Sequence, residues 1–541
     1  MNKRDCLAIA ILTLVFAGLA FYRLGGTTVP ASSYTVTREN PTVVLDFGAP
    51  LTIDYFVVYF GPQSFLCDLY AREEEGGEWE LIGSDVFSDE VYKWKGFFHA
   101  PKRLRYLRLE LKNAGATFHE MLFVDEAGRL TVPVNAAAYP ALFDEQGLFD
   151  PSYSKTYYNE TIFDETFYAR TAYEYIHGLP AYETSHPPLG KSLMSLGIRA
   201  FGMVPFGWRF MSALLGVMMV PLMYAFAKAL TGSSFAATAA TVLLAFDCMH
   251  FTLARIATID IYAGFWILLM YYLFYLYLKS RSYLPLALCG AAFGLAAATK
   301  WTGIFAGAGL GLMFLYHMVK HRPPQRRRLL AFCTVFFVAL PLCIYVLSYL
   351  PVVADPPAGL LQQAFGGGAS MLAYHSAEII ETHSALSPFY EWPFDWRPLL
   401  YLSTPLEPPY YSSLSLLGNP AVWWAGLPCL AYCFYLALRK KDEKAGFLAV
   451  AYLAQYLPWA FVTEWTFIYH YYPATFFMFL AMGYTLEALV RAREWGRTAA
   501  LGYLAVAVLV FVILYPVISG SPAPREYQEG LEWLPAWVLV Q

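Results

Sequence analysis

Long apolar runs alternate with short polar connections along most of the chain. A helix needs about 20 predominantly apolar residues to cross a bilayer. Runs of this kind lie at 6–23, 208–230, 234–254, 259–279, 284–299, 302–319, 329–351, 417–438, 445–463, 467–489 and 498–519. They predict an α-helical polytopic membrane protein with about 11 transmembrane helices, the run at 284–299 being the shortest. Positive residues set the sidedness. With the N-terminus in the cytoplasm, Lys3 and Arg4, Lys228, Lys279 and Arg281, "KHRPPQRRR" (320–328), "RKKDEK" (439–444) and "RAREWGR" (491–497) all fall on one side. The external side then receives residues 24–207, the loop 352–416, short turns near 255–260, 300 and 464–466, and a tail over 521–541. Lys3 and Arg4 before an apolar run also fit a signal peptide. No small-x-small cleavage site follows, so 1–25 is read as an uncleaved first anchor.

Residues 31–130 break the pattern. Short runs such as "TVVLDFG", "IDYFVVYFG", "EWELIG" and "RYLRLELK" alternate apolar and polar residues between turn signals. Period-two alternation predicts an antiparallel β-domain. The pieces "VVLDFG" (43–48), "EWELI" (78–82), "KRLRYLRLEL" (102–111) and "TFHEMLFVD" (117–125) resemble the discoidin, or F5/8 type C, jelly-roll family. That resemblance implies an external β-sandwich inserted in the first external loop, with a glycan as a candidate ligand.

Composition agrees with a membrane protein. The 541 residues are 58% hydrophobic and 14% charged, against about a quarter charged in soluble domains. A net charge of −4 gives no reason to expect nucleic-acid binding. Seven of the eight cysteines sit in or beside apolar runs, with no CxxC pair, so neither a disulfide framework nor a cysteine metal site is expected.

Candidate chemistry gathers on the external side. Asp164, Glu165, His186, Lys191, Arg209, Arg255, Asp260, Lys300, His375, His383, Arg397, Glu464 and His470 all thread there or to outer span ends. A charge at membrane depth costs about 2.5–3.5 kcal/mol on insertion scales, so such residues are paired or functional. An interfacial salt-bridge network explains any one of them, and Asp260 has Arg255 as a nearby candidate partner. As a set they offer more. Pro187 and Pro188 open a short amphipathic helix after His186, suited to the membrane interface. Cations there suit a lipid phosphate, and a carboxylate beside them suits a general base.

The motifs in order resemble the protein O-mannosyltransferases, a GT-C family that uses polyprenyl- or dolichyl-phosphate mannose. They are "FDETFYAR" (163–170), "HPPLGK" (186–191), "WRFMSALLGVMMVPLMY" (208–224), "ARIATIDIYAGF" (254–265), "ATKWTGIF" (298–305), "YHSAEIIETHSALSPFYEWPFDWRPLLY" (374–401), "LLGNPAVWW" (416–424) and "AQYLPWAFV…FIYHYYPA" (454–474). The loop 352–416 is too short for the MIR domain of eukaryotic members. Glu464 and Trp465 stand where an arginine is expected.

The resemblance implies a GT-C fold. Threading and the two resemblances together divide the chain into an anchor (1–25), the β-insert (31–130), which has no counterpart in the mannosyltransferase family, a catalytic first external loop (131–207), a transmembrane core (208–520) and an external tail (521–541). The mannosyltransferase resemblance implies transfer of a sugar, mannose in the family, from a polyprenyl-phosphate donor to Ser/Thr hydroxyls of an acceptor protein, with inversion. Asp164 is then the base and Glu165 its supporting neighbour. His186, Lys191, Arg209, Arg255, Asp260, His375 and Arg397 bind lipid phosphate or sugar. No cofactor is expected; the minor alternative is a divalent metal held by Asp164, Glu165 and a histidine. Multi-pass insertion in the plasma membrane with an external site follows, or a lumenal site in a eukaryote. Transfer to a glycolipid or cell-wall acceptor is the alternative within transferases. A transporter or flippase is the alternative outside them, and it predicts ionisable residues near the bilayer midplane.

Overall fold

The computed structural model describes residues 1–541 except 62–64, 89–90, 98–100, 113–114, 116, 150–155, 323, 354–356, 377–384 and 463–465. The chain divides into two compact units. One comprises Met1–Leu24, Phe167–Met203 and Gly207–Gln541; the other Gly25–Thr166 and Val204–Phe206.

The second unit is built on antiparallel strands: β1 (Tyr34–Thr35), β2 (Thr42–Phe60), β3 (Phe65–Arg72), β4 (Glu80–Ser88), β5 (Trp94–Phe97), β6 (Lys102–Leu111), β7 (Thr117–Asp125) and β8 (Leu130–Thr131). They pair in the order β1-β7-β2-β6-β3-β4, with β5 on β2 and β8 on β7. β2 is long enough to pair with β6 through its first half and with β7 and β5 through its second. Its register on β6 slips between Asp46 and Leu51. Gly48 there takes φ +80°, a conformation open to glycine at little cost. Alternation pays out as predicted: Val43, Leu45 and Phe47 from β2 and Leu107 and Leu109 from β6 point into one core with Met121 and Phe123. Burying each such side chain is worth about 1.5–3 kcal/mol.

The first unit is helical. Eight helices among the described residues are long and apolar enough to cross a membrane: Lys3–Phe21, Pro205–Thr231, Asp260–Ser280, Thr302–His321, Arg326–Leu347, Pro420–Arg439, Ile468–Ala492 and Gly496–Ser519. The run predicted at 234–254 is two helices, Ser234–Ala245 and Cys248–Arg255, bent by 57°. The bend has a local cause. Asp247 caps the second helix by accepting from His250 N, and its carboxylate also accepts from Trp423 Nε1 at 2.8 Å and Asn419 N at 3.3 Å. The runs at 284–299 and 445–463 form the shorter helices Tyr283–Thr299 and Glu443–Tyr456, the latter ending in a 3₁₀ turn at Leu457–Phe461. So eight of the eleven predicted spans are continuous helices of membrane length; hydropathy does not register a buried cap or a change of helix type. Gly290 allows close packing, because a Cβ there would collide with the Phe336 carbonyl.

The predicted basic turns follow the C-terminal ends of these helices: Lys228, Lys279, Lys320, Arg439 and Arg491 all lie in last turns. The short helix Leu189–Phe201 leads into the N-terminal end of Pro205–Thr231 and the hairpin Leu399–Pro405 with Tyr410–Leu416 into that of Pro420–Arg439, while the helix Leu360–Ser376 follows the C-terminal end of Arg326–Leu347.

Candidate active site

The acidic motif is a turn followed by a helix. Phe163 sits at φ +48°, a left-handed conformation rare for a bulky residue. Asp164 is half-buried just before the helix Glu165–His177. Glu165 is fully buried and its carboxylate accepts the Ile162 N–H at 3.0 Å, which closes the turn. Both acids belong to the second unit.

From Phe167 onward the same helix belongs to the membrane unit, where it ties down the loop before "HPPLGK". Arg170 pairs with Glu174 at 2.9 Å and lies 3.8 Å over the Tyr182 ring. Glu174 accepts from Tyr182 N, and Thr171 Oγ1 accepts from Glu183 N at 2.9 Å. These bonds aim Glu183 inward. Its carboxylate takes the Lys191 ammonium on one oxygen and the Ser185 hydroxyl and His186 Nδ1 on the other. Lys191 is fully buried, and its remaining two protons go to the Glu183 and His186 carbonyls, both at 3.0 Å. Burial opposes charge on Glu183, yet the ammonium and imidazole beside it hold the carboxyl well below its usual range. Burial also holds the His186 imidazole below the usual histidine range; Glu183 pulls the other way, against the Lys300 and Lys191 charges.

The helix Leu360–Ser376 adds His375. Its Nε2 lies 2.9 Å from the Ser185 carbonyl and its ring meets the His186 ring at 5.5 Å. Asp260 pairs with Lys300 at 2.8 Å, so the partner is Lys300 and not the Arg255 suggested by sequence proximity. Lys300 lies 5.0 Å over the Tyr469 ring, and Tyr469 packs on His470, which rests on Trp459 at 4.0 Å. His186, Lys191, His375, Asp260 and His470 thus gather at one end of the membrane unit. Arg255 donates to the carbonyls of Leu19, Ala20, Tyr22 and Arg23, and Arg209 donates to that of Leu24. Both clamp the end of the first helix. Arg397 donates to the Leu386 carbonyl at 2.7 Å and pairs with Glu391 at 3.6 Å. His383 and Glu464 lie outside the described residues. The one group of three ligand-type side chains close enough for a metal, among the described residues, is Glu120, Asp144 and Glu145; it includes neither Asp164 nor Glu165.

Sequence reading missed Glu183 and Asp247. Glu183 lies in the polar stretch "YETSHPP", where a carboxylate reads as solvated. Its spacing of eight residues before Lys191 matches no local template.

Two family models match the chain. One, dolichyl-phosphate-mannose-protein mannosyltransferase, covers residues 200–353; the other, the C-terminal four TMM region of protein-O-mannosyltransferase, covers 365–537. A polyprenol-phosphate-mannose–protein mannosyltransferase of Mycobacterium tuberculosis is 28% identical over 421 residues, covering 65% of this chain and 80% of that protein. One of the same name from Corynebacterium glutamicum is 24% identical over 429 residues, covering 65% and 81%. The structure of the Saccharomyces cerevisiae protein O-mannosyltransferase Pmt1–Pmt2 complex bound to the sugar donor superposes with a TM-score of 0.62 at 15% identity, covering 70% of this chain and 89% of that one. At that identity the likeness concerns the fold alone. The multi-span helical bundle and these matches define a membrane glycosyltransferase. Over residues 200–353 and 365–537 the chain is similar to the protein O-mannosyltransferases.

Proposed function

We propose that this chain transfers mannose from a polyprenyl-phosphate carrier to Ser/Thr hydroxyls of proteins at the external face of a bacterial plasma membrane, with inversion. The observation that carries the reading is the 28% identity over 421 residues to a relative whose name states a polyprenol-phosphate-mannose donor and a protein acceptor. Asp164 takes the proton of the acceptor hydroxyl. The oxygen then bonds to the anomeric carbon as the bond from that carbon to the phosphate oxygen breaks, and polyprenyl phosphate leaves with the electron pair. The strained Phe163 beside Asp164 supports a functional turn. Glu165 braces that turn through Ile162 N. His186, Lys191, Arg209, Arg255, Asp260, His375 and Arg397 form the donor-binding set. Lys191 spends its protons on Glu183 and His186, and Arg255 holds backbone carbonyls with Nη1 and Nη2, so both support the donor site through their neighbours.

A positioned base contributes about 10²–10⁴-fold. Asp164→Asn is therefore expected to lose at least about 100-fold of transfer from polyprenyl-phosphate mannose to a Ser/Thr peptide. Undiminished transfer would refute the base, and transfer only to a glycolipid offered in parallel would refute the protein acceptor.

The second unit is read as a glycan-holding module. The Arg72 and Arg108 guanidinium carbons lie 4.5 and 4.7 Å from the Trp79 ring centre, an arginine–aromatic cluster with donors for sugar hydroxyls. Retention of the full chain on immobilised glycans should fall on Trp79→Ala; equal retention would remove this role.

A further inference from the structure

We propose that Glu183 is a positioning residue that keeps the His186 proton on Nδ1 and so turns Nε2 into a hydrogen-bond acceptor for a substrate hydroxyl. The inference deepens the proposed function and rests on it for the identity of the ligand.

The number of protons available at this junction fixes the tautomer. Three atoms meet: Glu183 Oε1, Ser185 Oγ and His186 Nδ1. Ser185 Oγ touches both of the others, at 2.9 Å from Nδ1, and Nδ1 lies 3.3 Å from Oε1. A carboxylate only accepts, and a serine hydroxyl has one proton to give. If that proton went to Nδ1, Oγ and Nδ1 would each turn lone pairs toward the Glu183 oxygen with nothing between them. Both contacts become attractive only when Ser185 donates to Oε1 and Nδ1–H points at Oγ and Oε1. The other side of Glu183 leaves no freedom either. Its second oxygen is taken by Lys191, whose three protons are spent on the Glu183 carboxylate and the Glu183 and His186 carbonyls. Lys191 therefore holds the carboxylate charged and facing the ring.

The consequence lies at the far side of the imidazole. The bond made by one ring nitrogen decides the proton on the other. With the proton on Nδ1 in a neutral ring, Nε2 carries a lone pair. No protein bond among the described residues uses Nε2, and the side chain keeps 18% of its surface exposed. The ring is framed by Tyr168 and His375, with centroids at 6.0 and 5.5 Å. The charged and titratable groups around it include Tyr168, Glu183, Lys191, Lys300, His375 and His470, and burial favours the neutral ring there. A lone pair cannot donate to phosphate; it accepts an O–H. Two hydroxyl sources fit this chemistry, the sugar of the lipid-linked donor and the Ser/Thr of the acceptor.

The test uses the full chain in lipid nanodiscs with ring-¹⁵N histidine, His186 being assigned from the signal lost in His186→Asn. Wild type is expected to show a protonated Nδ1 and an unprotonated Nε2. A proton on Nε2 instead would overturn the proposal. Ser185→Ala keeps Glu183 and should keep the tautomer; inversion there would show that Glu183 is not the anchor. In Glu183→Gln the amide oxygen stays with Lys191 and the NH₂ donates to Nδ1, so the tautomer should invert, and an unchanged tautomer counts against the proposal. The same variant should raise one KM about tenfold, the loss of one neutral hydrogen bond. A shift in the KM for polyprenyl-phosphate mannose places the hydroxyl on the sugar, and a shift in the KM for the peptide places it on the acceptor. No change in either refutes the hydroxyl role. The tautomer is read without substrate, so its failure is separable from a failure of mannosyl transfer.

Discussion

Lys191 shows how a residue can be located by sequence and yet have its task decided by its neighbours. "HPPLGK" marks it out, and an ammonium near a lipid phosphate invites a direct contact. In the fold all three of its protons are spent on Glu183 and His186. Removing one partner of a buried ion pair costs about 3–5 kcal/mol, so Lys191→Met is expected to lower thermal stability as well as activity, and Glu183→Gln/Lys191→Met to recover part of the stability. Denaturation in detergent measures this; a double variant less stable than Lys191→Met would contradict it. Glu120 in the second unit gives a prediction in pH. Burial lifts its carboxyl to about 7, with the Asp144 and Glu145 charges adding to the shift against bonds from Gln146 and Glu145 N. The ordinary value is about 4.3. Between these values the folded state holds more protons than the unfolded state, so stability falls as pH rises through the window and is lowest above it. The fall is expected to be about 1–3 kcal/mol. Asp46, Asp68 and Asp125 are shifted downward, so they act at lower pH, outside this window, whereas burial lowers the His119 and His186 imidazoles, which act inside it with the opposite sign. Glu120→Gln should flatten the slope in pulse proteolysis of the full chain between pH 5 and 8, and a slope equal to wild type would dismiss Glu120 as its source.

At the scale of elements, the bent pair Ser234–Ala245 and Cys248–Arg255 is the main departure from a reading by hydropathy. One aspartate in an apolar run looks like a cost. Here it caps a helix and collects N–H groups from Asn419 and Trp423, 172 and 176 residues away. Asp247→Leu removes the cap and strands two buried donors, an expected loss of about 2–4 kcal/mol. Asp247→Asn keeps an acceptor oxygen and should cost less than half of that. Thermal unfolding in detergent ranks the two, and equal losses would refute the capping account. The strands were legible for the opposite reason. Their alternation is local and one face is buried, so the period of the pattern and the period of the structure coincide.

For the whole molecule, the basic last turns of five membrane helices make a prediction about sidedness. With the positive ends in the cytoplasm, a cysteine introduced at Gln325 should resist an impermeant maleimide in intact cells, and one at Tyr390 should react. The reverse labelling would invert the proposed topology. The sequence by itself determined that this is a multi-span membrane protein with a β-rich segment after its first helix, because hydropathy and alternation are properties of consecutive residues. Its ordered motifs also marked His186, Lys191, Asp260 and His375, side chains that the fold gathers at one end of the membrane unit. Only the tertiary structure decided what they do there. Glu183 holds Lys191, Lys300 neutralises Asp260, and Arg255 closes on the carbonyls of the first helix. A hydrogen bond is set by which donor lies within about 3 Å of which acceptor, and for residues 40 or 235 positions apart that distance exists only once the chain has folded.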